Sequence, residues 1–287
     1  IALSLSKKDL KDSHLYTTLE PCVHYGVTPP CVTNILKKKV KKVFFSINDP
    51  DKRVNGKSFN FFRENKVFVS KGILKKNIQD FYSSYIVNKK KELPYVTAKI
   101  AISKDFYTAS KVSKKITNDL SLGRVHILRN DHDCILTSSK TIKADNSKLN
   151  CRIDGLEKNS PSRVLIDKNL NLSVNSFIVK SAKNYKTIIF YNKIKKEKLS
   201  FFKKRNIKLI NAPIDSKGNF DLKKIMHKIY SLGYSRVFLE AGLNLTNSFI
   251  KDNLINNFYI FISNQKLSKN GFNSFKNHYK YFLKTKK

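Results

Sequence analysis

Two cysteines, Cys22 and Cys31, carry the strongest chemical signal in this 287-residue chain. The stretch around them reads Thr18-Leu19-Glu20-Pro21-Cys22-Val23-His24-Tyr25-Gly26-Val27-Thr28-Pro29-Pro30-Cys31. Cys22 follows a proline at the end of a strand pattern, and Cys31 follows two prolines at the start of a helix pattern. Gly26, Pro29 and Pro30 fold the loop between them back on itself. A helix N-terminus favours negative charge, so a thiolate there forms more readily and becomes a good soft ligand for zinc. The competing reading is a pair of packing cysteines, and the flanking prolines argue against it. His24 reads better as a loop or substrate-contacting histidine than as a third ligand.

A second group lies beyond residue 100. Arg129 and Arg152 can each offer a bidentate fork to a phosphate. Two solvated surface arginines are the rival reading, yet only eight of the 57 basic residues are arginine. Thr137-Ser138-Ser139-Lys140-Thr141 puts small hydroxyl residues after a strand, where they suit a cofactor phosphate or ribose, or simply a strand-ending turn. Glu240-Ala241-Gly242-Leu243-Asn244-Leu245 ends a strand and opens a helix, so its amides face an anion at the helix N-terminus.

The elements that must hold these residues follow from periodicity. Strands are expected over 15–19, 42–47 and 67–70, and helices over 1–8, 33–39, 56–65 and 79–91. The lysine-rich stretch 88–92 and Leu93-Pro94 mark a domain boundary, giving domains 1–92 and 93–287. Further on, strands are expected over 95–103, 134–137, 163–166, 187–191, 207–210, 236–240 and 257–263, with helices over 119–129, 222–232 and 245–251. Strand alternating with helix implies an α/β fold with mainly parallel sheets in both domains. No clear final strand pair is legible over 271–287.

Composition excludes several classes. Four cysteines in 287 residues are too few for a disulfide framework, and no apolar run approaches the roughly 20 residues of a spanning helix. There is no basic-then-apolar leader, so the expectation is a soluble, cytoplasmic chain without a membrane partner. A formal charge of +36 invites a nucleic-acid partner. The charge is nearly all lysine and dispersed along the chain, which reads instead as a composition bias over an ordinary enzyme's solvated faces.

The wording Thr18-Leu19-Glu20-Pro21-Cys22, then His24, Gly26 and Thr28-Pro29-Pro30-Cys31, resembles the deaminase half of the bifunctional riboflavin-biosynthesis deaminase/reductases, members of the zinc-dependent cytidine-deaminase-like group. In that group a histidine and two cysteines hold zinc, the metal activates a water, and a glutamate two residues after the histidine shuttles protons. The resemblance implies that Cys22 and Cys31 are the thiolate ligands of one zinc ion. The family's His-Ala-Glu motif would fall just upstream of Ile1, and His14 has no glutamate two residues on. The expectation is therefore an N-terminally truncated chain with an incomplete zinc site, in which deamination by these residues alone fails.

Three further stretches resemble the reductase half of the same family, a dihydrofolate-reductase-like α/β domain: 94–105, 125–129 with 133–141, and 144–152. By that resemblance Ser113, Arg129, Leu149, Arg152 and Glu240 contact a small phosphorylated pyrimidine substrate. Ala101, Thr141, Asp145, Gly242, Leu243, Asn244, Leu245, Thr246, Asn247 and Ser248 hold NADPH. The family's tryptophan is replaced by Lys115, and its Asp-Ser by Asp167-Lys168. The implied activities are zinc-dependent deamination of 2,5-diamino-6-(5-phosphoribosylamino)pyrimidin-4-one and NADPH-dependent reduction of the ribosyl chain of 5-amino-6-(5-phosphoribosylamino)uracil, in a homodimer. Rival readings are a monofunctional reductase with a remnant deaminase domain, a zinc deaminase acting on nucleic acid, and a basic RNA-binding protein.

Overall fold

The computed structural model describes residues 10–113, 115–193 and 196–278, so the helix read over 1–8 lies outside the described residues. The chain divides into two compact units, Ile1–Glu92 and Leu93–Lys287. Among the described residues no helix is long and apolar enough to cross a membrane.

In the first unit, β1 (His14–Leu19), α1 (Cys31–Lys37), β2 (Lys42–Ile47), α2 (Lys57–Glu64) and β3 (Phe68–Lys71) form a parallel sheet in the order β1-β2-β3 with helical crossovers. Val32 and Ile35 of α1, Val43 of β2 and Phe62 of α2 are buried together with Val40. Two helices differ from expectation by more than a single residue at an end. The first helix starts at Cys31 and not at 33, because Pro30 at the N-cap (φ −55°) already has a helix-compatible φ. The helix read over 79–91 is two, α3 (Lys75–Phe81) and α4 (Ser83–Lys91), which meet at Tyr82 (φ −89°, ψ 13°). Glu92 ends α4 in the left-handed region (φ 55°), directly ahead of Leu93-Pro94.

The second unit begins with β4 (Tyr95–Ile102), β5 (Tyr107–Ser110), α5 (Asp119–Asn130), β6 (Cys134–Ser138), α6 (Ser139–Asp145), β7 (Ser162–Ile166) and α7 (Phe177–Lys180). It continues with β8 (Thr187–Tyr191), α8 (Lys196–Lys203), β9 (Ile207–Asn211), α9 (Leu222–Ser231), β10 (Arg236–Leu239), α10 (Leu243–Lys251), β11 (Asn257–Ile262) and β12 (Gly271–Ser274). Seven strands form one parallel sheet in the order β11-β4-β10-β6-β7-β8-β9. Alternate residues of single strands enter two separate buried clusters: Leu136, Val237 and Leu239 in one, Ile135 and Phe238 in the other. The sheet is therefore buried on both faces, which is why its central strands read as unbroken apolar runs. Helix α9 shows the covering logic: Asp221 caps it by accepting from the Lys224 N–H at 3.0 Å, and Leu222, Ile225, Met226 and Ile229 face the core.

The α/β fold with parallel sheets is the one the sequence implied, with two corrections. The hydroxyl run 137–141 is not a plain turn, since β6 runs on to Ser138 and α6 starts at Ser139, with the Ser138 hydroxyl accepting from the Thr141 N–H at 3.4 Å. A final strand pair does exist: β12 pairs antiparallel with β5, Gly271 opposite Ser110 and Phe272 opposite Ala109. Four-residue strands this far apart in sequence leave no periodic signal.

Candidate active site

The loop between Cys22 and Cys31 closes as expected, with the Cys31 N–H 3.2 Å from the Cys22 sulfur. The expected easy ionisation does not follow. Burial and the adjacent Cys22 thiol push the Cys31 thiol above its ordinary value, and α1 is only seven residues long. Among the described residues no group of three or more His, Cys, Asp or Glu side chains gathers to hold a metal ion. A catalytic zinc takes three protein ligands, so the two thiols as described do not fit one, and no step is derived through it. His24 keeps a buried Nδ1 without a hydrogen-bond partner.

Sequence reasoning gave no role to Glu20, which the structure buries directly before Pro21-Cys22. Its carboxylate accepts from the N–H groups of Asp49 (3.3 Å), Gly56 (2.8 Å) and Ser58 (2.9 Å) and from the Ser58 hydroxyl (3.0 Å). Those four bonds tie the end of β1 to the loop after β2 and to the first turn of α2.

In the second unit Arg129, Glu240, Asn150 and Arg152 form one connected group. Arg129 sits on α5 and is buried; its Nε and Nη2 donate to the Glu240 carboxylate at 2.9 and 2.8 Å, and its Nη1 donates to the Asn150 carbonyl at 3.0 Å. The fork read from sequence as a phosphate clamp is thus occupied by Glu240. Burial alone would raise the Glu240 pKa, but the Arg129 charge outweighs it and holds the carboxyl below its ordinary value. Arg152 is exposed, and its Nη1 donates to the Asn150 side-chain oxygen at 3.0 Å. Asn150 is the joint that sequence reasoning passed over: its carbonyl holds Arg129, its side-chain oxygen holds Arg152, and its amide donates to the Tyr185 hydroxyl at 3.1 Å. Leu149 is buried in the core with φ 53°, so only its backbone is available to a ligand.

Two residues after Glu240, the Gly242 N–H donates to the Thr141 hydroxyl at 3.4 Å, which joins the turn before α10 to the first turn of α6. Gly242 is the N-cap of the nine-residue α10 and supplies no side-chain cap, so the first-turn N–H groups keep their capacity for an anion. The remaining residues of that run point elsewhere. The Thr246 hydroxyl donates back to the Gly242 carbonyl (3.2 Å), the Asn247 amide contacts His278 Nε2 (3.0 Å), and the Ser248 hydroxyl donates to the Asn244 carbonyl (3.2 Å). An anion would meet the backbone of Gly242, Leu243, Asn244 and Leu245. Asp145 is exposed at the end of α6, and Ala101 stands opposite Phe261 in the sheet.

Ser113 is in a different place, an open cleft of about 460 Å³ shared with Lys115, Asn118, Ile262, Asn264 and Gln265. Its hydroxyl donates to the Lys115 carbonyl at 2.8 Å, and Lys115 itself pairs with Asp119 at 3.1 Å. Asp167 and Lys168 are both used within the fold: Asp167 accepts from the Leu172 N–H at 2.7 Å, and Lys168 donates to the Gly218 carbonyl at 2.8 Å.

Comparison with known proteins agrees with this architecture. Residues 94–265 match the RibD C-terminal domain. The riboflavin biosynthesis protein RibD of Actinobacillus pleuropneumoniae is 30% identical over 262 residues, covering 90% of this chain and 68% of that protein. Its counterpart from Bacillus amyloliquefaciens is 31% identical over 256 residues, covering 87% and 67%. The crystal structure of a diaminohydroxyphosphoribosylaminopyrimidine deaminase/5-amino-6-(5-phosphoribosylamino)uracil reductase from Thermotoga maritima aligns with a TM-score of 0.73 at 26% identity, over 91% of this chain and 71% of that one. A domain match over more than half of the chain, at the unit that carries the Arg129–Glu240 group, leaves one assignment: the chain belongs to the RibD family of riboflavin biosynthesis proteins.

Proposed function

We propose that this chain is a pyridine-nucleotide-dependent reductase of riboflavin biosynthesis, which reduces the ribosyl side chain of 5-amino-6-(5-phosphoribosylamino)uracil to a ribityl chain. The observation that carries the reading is the three-residue stretch Glu240-Ala241-Gly242. One end grips Arg129 and the other meets Thr141 at the start of an uncapped helix. A substrate site and an anion site thus adjoin at the C-terminal ends of parallel strands, where open α/β sheets take their ligands.

NADPH fits the second of these sites: the backbone of Gly242 to Leu245 would hold its pyrophosphate and the Thr141 hydroxyl would stand beside it. When bound, it supplies the hydride for the reduction. The protein's own part is to bind and orient. Arg152, tethered at Nη1 but exposed, takes the substrate phosphate. Arg129 fixes the Glu240 carboxylate and keeps it ionised, so the lone pairs it does not use on Arg129 accept from substrate hydroxyl or N–H groups. Positioning of this kind needs no separate acid/base pair.

The first unit reads as the C-terminal part of a deaminase domain, supported by the Pro21-Cys22 and Pro30-Cys31 wording and by the bifunctional name of the Thermotoga maritima relative. The matched domain, residues 94–265, lies in the second unit, so the reduction is the activity proposed for this chain. The reading carries with it a homodimeric enzyme of the cytoplasm. Arg152→Ala tests the assignment. It should raise KM for the phosphorylated uracil about ten- to a hundredfold, the usual worth of a charge-assisted hydrogen bond, with NADPH affinity unchanged. Equal KM values would refute Arg152 as the phosphate ligand.

A further inference from the structure

The loop that carries Cys151 and Arg152 meets helix α5 at His126. The Arg152 N–H points at the Nδ1 of His126, 3.2 Å away. An N–H donor at that distance requires Nδ1 to be the lone-pair nitrogen, which puts the ring proton of the neutral imidazole on Nε2. The same helical residue accepts a second contact from the loop, because the Cys151 thiol donates to the His126 carbonyl at 3.5 Å. His126 is half-buried on α5, one turn before Arg129, so the helix that carries Arg129 also carries the anchor of Arg152. We propose that His126 is a positioning residue for substrate phosphate: its neutral Nδ1 holds the Arg152 backbone in register with Arg129 and Asn150, and protonation of the ring releases it. This rests on the reading of Arg152 as the phosphate ligand.

The surroundings favour the neutral ring. Burial lowers the His126 pKa below its ordinary value; Arg129 on the same helix and Arg152 on the loop lower it further, and Glu240 at the end of β10 and the Asn150 backbone oppose them without reversing the shift. The loop is therefore held at neutral pH and let go in acid. Once charged, the ring carries an N–H at Nδ1 against the N–H of Arg152, so the contact turns from attraction to repulsion.

The test is KM and kcat for 5-amino-6-(5-phosphoribosylamino)uracil, measured with NADPH from about pH 5 to about pH 8 on the whole chain, for wild type, His126→Ala and His126→Gln. The substrate phosphate titrates in this range as well, but it does so equally for all three proteins, so the comparison isolates the ring. His126→Ala should raise KM about three- to tenfold at neutral pH, the worth of one hydrogen bond, and change kcat less. His126→Gln keeps an acceptor and cannot titrate, so it should restore KM at neutral pH and lose the extra rise of KM in acid that wild type shows. A KM and pH profile of His126→Gln superimposable on wild type overturns the inference, whether or not the alanine variant folds. If Arg152→Ala is impaired while both His126 variants match wild type, this inference alone fails. If Arg152→Ala also matches wild type, the phosphate reading fails and takes this one with it.

Discussion

Arg129 grips Glu240 through two parallel hydrogen bonds, Nε to Oε2 at 2.9 Å and Nη2 to Oε1 at 2.8 Å, with only 9% and 17% of the two side chains exposed. Removing either partner strands a charge in a low-dielectric site, which costs about 3–5 kcal/mol. Arg129→Ala and Glu240→Ala should each lower Tm markedly and abolish NADPH oxidation. Arg129→Lys should also fail, because an ammonium cannot fork. The double variant Arg129→Met/Glu240→Leu should recover much of the Tm without recovering activity. Thermal unfolding and NADPH oxidation on the same preparations check both halves.

Asn150 links the two arginines through its carbonyl and its side-chain oxygen, and its amide donates to the Tyr185 hydroxyl. Asn150→Ala loses the side-chain contacts to Arg152 and Tyr185 but keeps the carbonyl that holds Arg129. The expected result is a KM increase of about three- to tenfold, with a loss of about 1–3 kcal/mol in stability from the Tyr185 hydroxyl left without its donor. Steady-state kinetics beside urea unfolding separates the two effects.

Asp105 ties the turn after β4 to the segment before β12. It accepts from the Ser103 hydroxyl at 2.6 Å and from the N–H groups of Leu267 (3.1 Å) and Ser268 (2.8 Å). The Ser103 hydrogen bond, joined by those two backbone donors, lowers its pKa from 3.8 to about 2. A depressed carboxyl contributes stability above its unfolded value and loses it as pH falls through the folded one. The stability gap between wild type and Asp105→Asn should therefore be full above pH 3.8 and gone near about pH 2. Denaturant midpoints measured across that window, with a gap that stays constant, would disprove the assignment.

Gly271 pairs with Ser110 in the β5–β12 ladder, and a Cβ built on it would collide with the side chain of Tyr107. Gly271→Val should force the short strands apart at a cost of about 1–3 kcal/mol, the range for overpacking. Hydrogen exchange should show the amide of Lys111, which donates to the Asn270 carbonyl, losing protection in the variant.

Much of this architecture was legible in the sequence because parallel strands buried on both faces leave continuous apolar runs, as at Cys134–Ser138 and Thr187–Tyr191. Capped amphipathic helices such as Leu222–Ser231 are marked equally clearly. What escaped is non-local. The β5–β12 pair depends on a glycine seated over a distant tyrosine, and the occupant of the Arg129 fork is Glu240, 111 positions along the chain. Spacing can nominate Arg129 and Arg152 as cations near an anion; it cannot say that one is already paired and that Asn150 holds them both. Glu20 was hidden for the same reason, since its three backbone donors come from the loop and the first helical turn beyond the next strand.

The central claim is reduction of a phosphorylated pyrimidine at the Arg129–Glu240–Arg152 group. Its most direct test is the rate of NADPH oxidation by the whole chain given 5-amino-6-(5-phosphoribosylamino)uracil, with Glu240→Ala as the control. The account predicts substrate-dependent oxidation by the wild type and none by the control. A folded wild-type chain that binds the uracil and NADPH yet oxidises none, or a Glu240→Ala protein that turns over normally, would contradict it.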